Sequence, residues 1–192
     1  MQSSVPSSWQ ASWIWGSGPA SPRNEWRCFR RSFVPERSFD QAIVRLTADS
    51  RYILYVNGVR VGRGPVRSWP FELACDEYDI GHLLRPNAEN VIAVLVTHYG
   101  LSTFQYLRGR GGLLLQLEVR GESGQHDPIV TTGDTWRTAI HQGFDRRSSR
   151  ISCQLAFTEI VDARAWSDAW LYPGFDDSGW ERAAVIGPAG TA

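Results

Sequence analysis

The sequence predicts an all-β fold, an antiparallel β-sandwich, and three observations carry that reading. Short apolar or alternating segments recur with Gly, Pro, Asn and Asp between them, the punctuation of strands joined by turns. No segment sustains the 3.6-residue apolar period of an amphipathic helix. Asn57-Gly58 separates two β-branched and aromatic runs. That dipeptide is the strongest short-range hairpin signal, because a type I′ turn needs positive φ at both central residues.

Taken in order, residues 1–11 read as a disordered lead, polar with Ser and Pro. Trp13-Ile14-Trp15 is a short apolar start, followed by a Gly-Pro-Ser loop over 16–22. Residues 26–33 alternate as a strand and 35–40 connect. Ala42, Val44, Leu46 and Ala48 then form one face of a half-buried strand. The hairpin places strands at 52–56 and 59–61, and the loop after Pro65 carries Arg67, Trp69 and Phe71. Residues 77–80 lead to a helical turn at 81–84, ended by Arg85-Pro86-Asn87. The apolar run 91–96 reads as a central strand. A long loop over 98–111, rich in Tyr, Arg and Gly, leads to a strand at 113–119 and a turn at 121–125. A further pair is expected at 129–132 and 136–140, and 153–161 is expected to close the sheet. The sandwich thus spans 12–188, with 189–192 a tail or the start of a linker.

Composition excludes several function classes. The 192 residues carry twenty basic against twenty acidic side chains, so the basic excess used by nucleic-acid and anionic-membrane binders is missing. No apolar run reaches the roughly 18 residues of a membrane span. All twenty basic residues are Arg, and nine Trp stand with six Tyr and eight Phe. Cys28, Cys75 and Cys153 are dispersed and odd in number, show no zinc spacing and are expected as buried free thiols. No basic segment followed by an apolar one opens the chain, so no signal peptide is visible. The expectation is a cytoplasmic setting if Met1 is the native start.

Catalytic signatures are weak. Glycoside hydrolysis normally uses two separated carboxylates. Asp76 and Glu77 are strand neighbours and point to opposite faces, while Asp176-Asp177-Ser178-Gly179 reads as a turn before Trp180. His82, His98, His126 and His141 are scattered, and no G-x-S-x-G elbow occurs. Gly109-Arg110-Gly111-Gly112 enters a strand and so lacks the helix N-terminus of a phosphate loop. Among Glu159, Asp162 and Arg164, pairing of Arg164 with an acid is the expectation. No D-x-D-type oxygen cluster suggests calcium. No catalytic residue, cofactor or metal ligand is assigned.

One constellation does carry chemistry. Arg67 and Trp69 share one long loop; His98, Tyr99, Tyr106, Arg108 and Arg110 share the other. Arg forks can bond vicinal hydroxyls or a carboxylate, and Trp or Tyr can cover the apolar face of a sugar ring. These seven residues are the candidate carbohydrate site, on loops expected to meet at one end of the sandwich in a shallow groove. Packing of the same loops against another domain is the alternative, since interfaces use the same residue types.

Several stretches together resemble the N-terminal β-sandwich domain of bacterial α-L-rhamnosidases. They are Ala48-Asp49-Ser50-Arg51-Tyr52 running into Leu54-Tyr55-Val56-Asn57-Gly58, then Val61-Gly62-Arg63-Gly64-Pro65, Tyr78-Asp79-Ile80 with Leu83-Leu84, and Asn90-Val91-Ile92-Ala93-Val94. Later come Glu159 with Val161-Asp162-Ala163-Arg164, and Pro173-Gly174-Phe175-Asp176-Asp177-Ser178-Gly179-Trp180. The resemblance implies a galactose-binding-like jelly roll. It also implies hydrolytic carboxylates on a later (α/α)6 barrel, which these 192 residues stop short of. The expectation is therefore a non-catalytic accessory domain that recognises a rhamnose-containing or related plant glycan. Its partners would be that glycan and the catalytic domain of the same parent chain. A purely structural brace for the barrel and a stand-alone protein-binding sandwich are the alternatives.

Overall fold

The computed structural model describes residues 9–35, 39–120 and 126–191; the turn expected at 121–125 lies outside them. In chain order the strands are β1 (Ser12–Trp15), β2 (Glu25–Phe33), β3 (Gln41–Asp49), β4 (Arg51–Val56), β5 (Val59–Gly64), β6 (Asp76–Asp79), β7 (Asn90–His98), β8 (Gly112–Arg120), β9 (His126–Thr131), β10 (Arg137–Ile140), β11 (Glu181–Arg182) and β12 (Ala184–Pro188). They form two antiparallel sheets. One runs β12-β1-β8-β3-β6, with β9 also on β8; the other runs β11-β10-β2-β7-β4-β5. Among the described residues no helix is long and apolar enough to cross a membrane.

The alternation read in the sequence is the alternation that builds the core. Ala42, Val44, Leu46 and Ala48 of β3 and Leu113, Leu115 and Leu117 of β8 face inward from the first sheet. Phe29, Tyr52, Leu54, Val56, Ile92, Val94 and Val96 meet them from the second. Each Val, Leu, Ile and Phe among them contributes about 1.5–3 kcal/mol of burial free energy.

The continuous run 91–96 has a further cause. Ala93 and Leu95 point away from this core, and with Trp26 and Cys28 they meet Trp170 and Leu171 in a second apolar layer. The chain from 141 to 180 covers that outer face of the second sheet. Arg30, 1% exposed at its side chain, clamps the cover. Its guanidinium pairs with Asp177 and donates to the carbonyls of Trp170, Tyr172 and Phe175. Asp177 is thus an ion-pair partner as well as part of the turn that the amide of Trp180 closes.

The hairpin is as the dipeptide predicts. Val56 pairs with Val59 across a two-residue turn, and φ is 51° at Asn57 and 84° at Gly58. Three expectations are corrected. Residues 153–161 are not a strand: Arg150–Phe157 and Phe144–Val161 form isolated bridges, and Ile151, Leu155, Ile160 and Val161 are exposed. The first sheet is closed by β12, which takes the place beside β1. Only Cys28 is a buried thiol, Cys75 and Cys153 being exposed. The end of the expected lead is docked: Ala11 is buried, and the backbone amides of Gln10 and Ala11 donate to the side-chain Oε1 of Gln116.

Candidate functional site

The two long loops meet at one end of the sandwich. A crevice there is lined by Pro65, Val66, Ser68, Pro70 and Leu73 from one loop and by Tyr106 and Leu107 from the other, with Asp49 and Ser50 beneath. A second crevice, about 130 Å³, lies between Pro70 and Leu73 on one side and Gly109, Arg110 and Gly111 on the other.

The ends of β3 and β7 anchor this region. His98 Nδ1 lies 2.9 Å from Asp49 Oδ1 and its Nε2 3.1 Å from Ser21 Oγ. Ser50 Oγ donates to Asp49 at 2.9 Å and accepts the amide of Tyr99 at 3.1 Å. The Ser21–His98–Asp49 series has the connectivity of a nucleophile relay. His98 is 1% exposed, however, and Ser21 lines neither crevice. The series ties loop 16–22 to the two strand ends.

Above it, Tyr99 and Tyr106 pack edge to face with ring centroids 5.0 Å apart. Arg51 Nε donates to the Tyr106 hydroxyl at 2.9 Å, which holds the Arg51 guanidinium more firmly protonated. Burial pushes the Tyr99 phenol up to about 12, so it remains a hydrogen-bond donor at neutral pH. Thr103 shapes the loop by accepting the amides of Gln105 and Tyr106 on its hydroxyl, both at 3.0 Å.

On the facing loop, a tight turn in which the Glu72 amide donates to the Trp69 carbonyl holds Trp69 and Phe71 nearly parallel. Their ring centroids are 5.9 Å apart and their planes differ by 12°. Trp69 is 61% and Phe71 81% exposed.

Of the seven residues expected at the site, Tyr99 and Tyr106 form one unit, Trp69 stands exposed, and Arg110 lines the crevice between the loops. Arg67 is exposed on the Trp69 loop. Arg108 turns back, its Nε donating to Ser21 Oγ at 3.3 Å. His98 is drawn into the interior and presents no surface to a ligand. Arg51, Phe71 and Leu107 belong to the region and were not assigned. The place of Arg51, at the start of a strand beside a long loop, was the available signal for it.

Residues 37–190 match the model of the α-L-rhamnosidase N-terminal domain. An α-L-rhamnosidase of Streptomyces avermitilis is 30% identical over 194 residues, taking in 91% of this chain and 18% of that protein. The crystal structure of a GH78 family rhamnosidase of Bacillus sp. GL1 superposes with a TM-score of 0.91 at 53% identity, over 97% of this chain and 19% of its own. A Pleurotus ostreatus lectin shares the fold, with a TM-score of 0.61 at 23% identity over 92% of this chain and 41% of the lectin. The chain therefore spans about a fifth of the rhamnosidases it matches. With the family match covering most of its length and two sheets superposing on a rhamnosidase's, the chain belongs to the α-L-rhamnosidase N-terminal domain family.

Proposed function

We propose that the chain is a non-catalytic carbohydrate-recognition domain of an α-L-rhamnosidase-like glycoside hydrolase, and that it takes a rhamnose-containing or related plant glycan at the loop-bearing end. The observation that carries this reading is the pair of exposed, near-parallel rings of Trp69 and Phe71 beside a crevice rimmed by Arg110. Flat apolar faces next to rigid donors are what a sugar ring with one apolar face and vicinal hydroxyls requires. The fold is compatible with it: an S. avermitilis α-L-rhamnosidase has been crystallised with L-rhamnose and the P. ostreatus lectin with GalNAc. Bracing of a catalytic barrel is the second reading. It is favoured by Val66, Phe104 and Leu107, exposed on the same two loops without a polar function.

Titration calorimetry with L-rhamnose and rhamnose-containing polysaccharides separates the two. Recognition predicts saturable binding that Trp69→Ala weakens by about 1–3 kcal/mol with the unfolding temperature unchanged, as for an exposed anchor. Absence of binding to every rhamnose-containing ligand overturns recognition and leaves the bracing role.

A further inference from the structure

A third concavity, about 370 Å³, opens on the outer face of the second sheet between the β4–β5 hairpin and the chain around Phe144 and Glu159. Its floor is apolar and flat. Trp26 and Phe144 stack with ring centroids 3.8 Å apart and planes 3° apart, and Ile53 continues the surface. Its rim is cationic, with Arg51, Arg60 and Arg63, and Tyr99 forms one wall.

The rim has a backbone cause. Arg60 and Arg63 are three residues apart, and regular alternation would send them to opposite faces. In the β4–β5 ladder Arg60 pairs with Tyr55, Gly62 with Leu54 and Arg63 with Ile53, leaving Val61 as an extra residue. That bulge brings both guanidiniums to the face where Ile53 and Tyr55 lie, a re-aiming that bulges produce beside functional sites. Both arginines are exposed, and no carboxylate pairs with either among the described residues.

Two carboxylates line the cleft. Asp76 is engaged by the Tyr52 hydroxyl, and Glu159 shares the lining with the arginines, its charge reaching Arg51. Three guanidiniums and two carboxylates thus line the cleft; with Arg51 held by Tyr106 and Asp76 by Tyr52, Arg60, Arg63 and Glu159 are the charged groups left to meet a ligand.

We propose that this cleft binds a saccharide bearing a carboxylate, a uronate. Its apolar ring face lies against Phe144 and Tyr99, its carboxylate is forked by Arg60 and Arg63, and its hydroxyls are met by Glu159. The planar fork of Arg matches a carboxylate. Glu159 disfavours a phosphate dianion by like-charge repulsion while accepting sugar hydroxyls. The volume suits a small ligand rather than a protein surface. Arg51, Tyr99, Pro65 and Val66 border both this cleft and the loop end, while the Trp69 and Phe71 rings are not part of its lining.

The test uses tri-galacturonate as probe, with neutral α-1,4-galactotriose as its counterpart, in calorimetric titrations of the chain. The expectation is binding that falls at least about tenfold in the Arg60→Ala/Arg63→Ala double variant, the loss of a charge-assisted fork. Raising the salt from about 50 to 500 mM also weakens it, because the pairs are solvent-accessible. Arg60→Lys/Arg63→Lys retains charge without the fork and falls between, and Trp69→Ala is without effect. Unchanged unfolding temperatures show that the variants remain folded. Equal affinity for the neutral trimer, no binding of the acidic one, or binding retained in the double Ala variant overturns the proposal. Loss through Trp69→Ala with the arginine variants unaffected overturns it too, and places the saccharide at the loop end.

Discussion

Gly58 meets two demands at once. Its φ of 84° lies in the left-handed region, and a Cβ built there would sit 2.1 Å from Cε1 of Tyr172, so the hairpin tip also docks against the covering segment. Gly58→Val is therefore expected to destabilise by about 2 kcal/mol or more, lowering the unfolding temperature by roughly 4–8 °C in a chain of this size. Thermal unfolding followed by far-UV circular dichroism measures it. The turn was legible from two letters of sequence; the contact with Tyr172, 114 positions away, was not.

His141 is a second residue-scale case. It lies between Phe144 and Trp166, with ring centroids 4.8 and 4.9 Å away, and its Nδ1 accepts the Gly143 amide at 3.1 Å. Burial holds its pKa below the ordinary histidine value, against the opposing pull of Asp168. The unfolded chain then takes up this proton first. Its contribution to stability is complete above about pH 6.5 and is lost as the pH falls from there through the depressed folded value. In His141→Asn, which keeps an acceptor for Gly143, the fall in unfolding temperature between pH 7 and pH 5 is expected to be shallower than in the parent. Equal slopes would remove His141 as the cause.

At the scale of elements, strands with period two or an uninterrupted apolar run were readable, because each announces its buried faces locally. The chain over 141–180 was not, because its apolar residues follow no period and are buried only against the outside of the second sheet. β12 was hidden for a related reason. It is an edge strand, with Val185 exposed and Ile186 half-buried, so its pairing with β1 leaves little pattern. The covering segment rests on Phe144 over Trp26. Phe144→Ala is expected to cost about 2 kcal/mol, since a half-buried ring forfeits its stacking and part of its burial. It should also speed limited proteolysis within 145–165 while the far-UV spectrum is kept. Proteolysis at the parental rate would show that other contacts, Arg30 foremost, hold the cover alone.

For the whole molecule, many carboxylates are structural. Glu25 is held by Arg27 and Arg146, Asp177 by Arg30, Glu118 by Arg45 and Asp162 by Arg164. A carboxylate whose oxygens are held by a guanidinium is not free to reach a glycosidic oxygen or its attacking water, the two positions hydrolysis needs filled. The isolated chain is therefore expected to release no 4-nitrophenol from its α-L-rhamnoside above the uncatalysed rate. Sustained release from purified protein, abolished by changing one carboxylate, would overturn this.

By itself the sequence determined the class of fold, the place of the hairpin, the two long loops and their aromatic and arginine content. All of these follow from local alternation, turn chemistry and side-chain type. The tertiary structure decided which of those side chains face solvent. It buried His98 against Asp49 and Ser21, left Trp69 and Phe71 outside, and turned Arg60 and Arg63 to one face through the bulge at Val61. Those outcomes depend on contacts between segments distant in the chain and on one extra residue in a strand. No periodicity within a single segment encodes either.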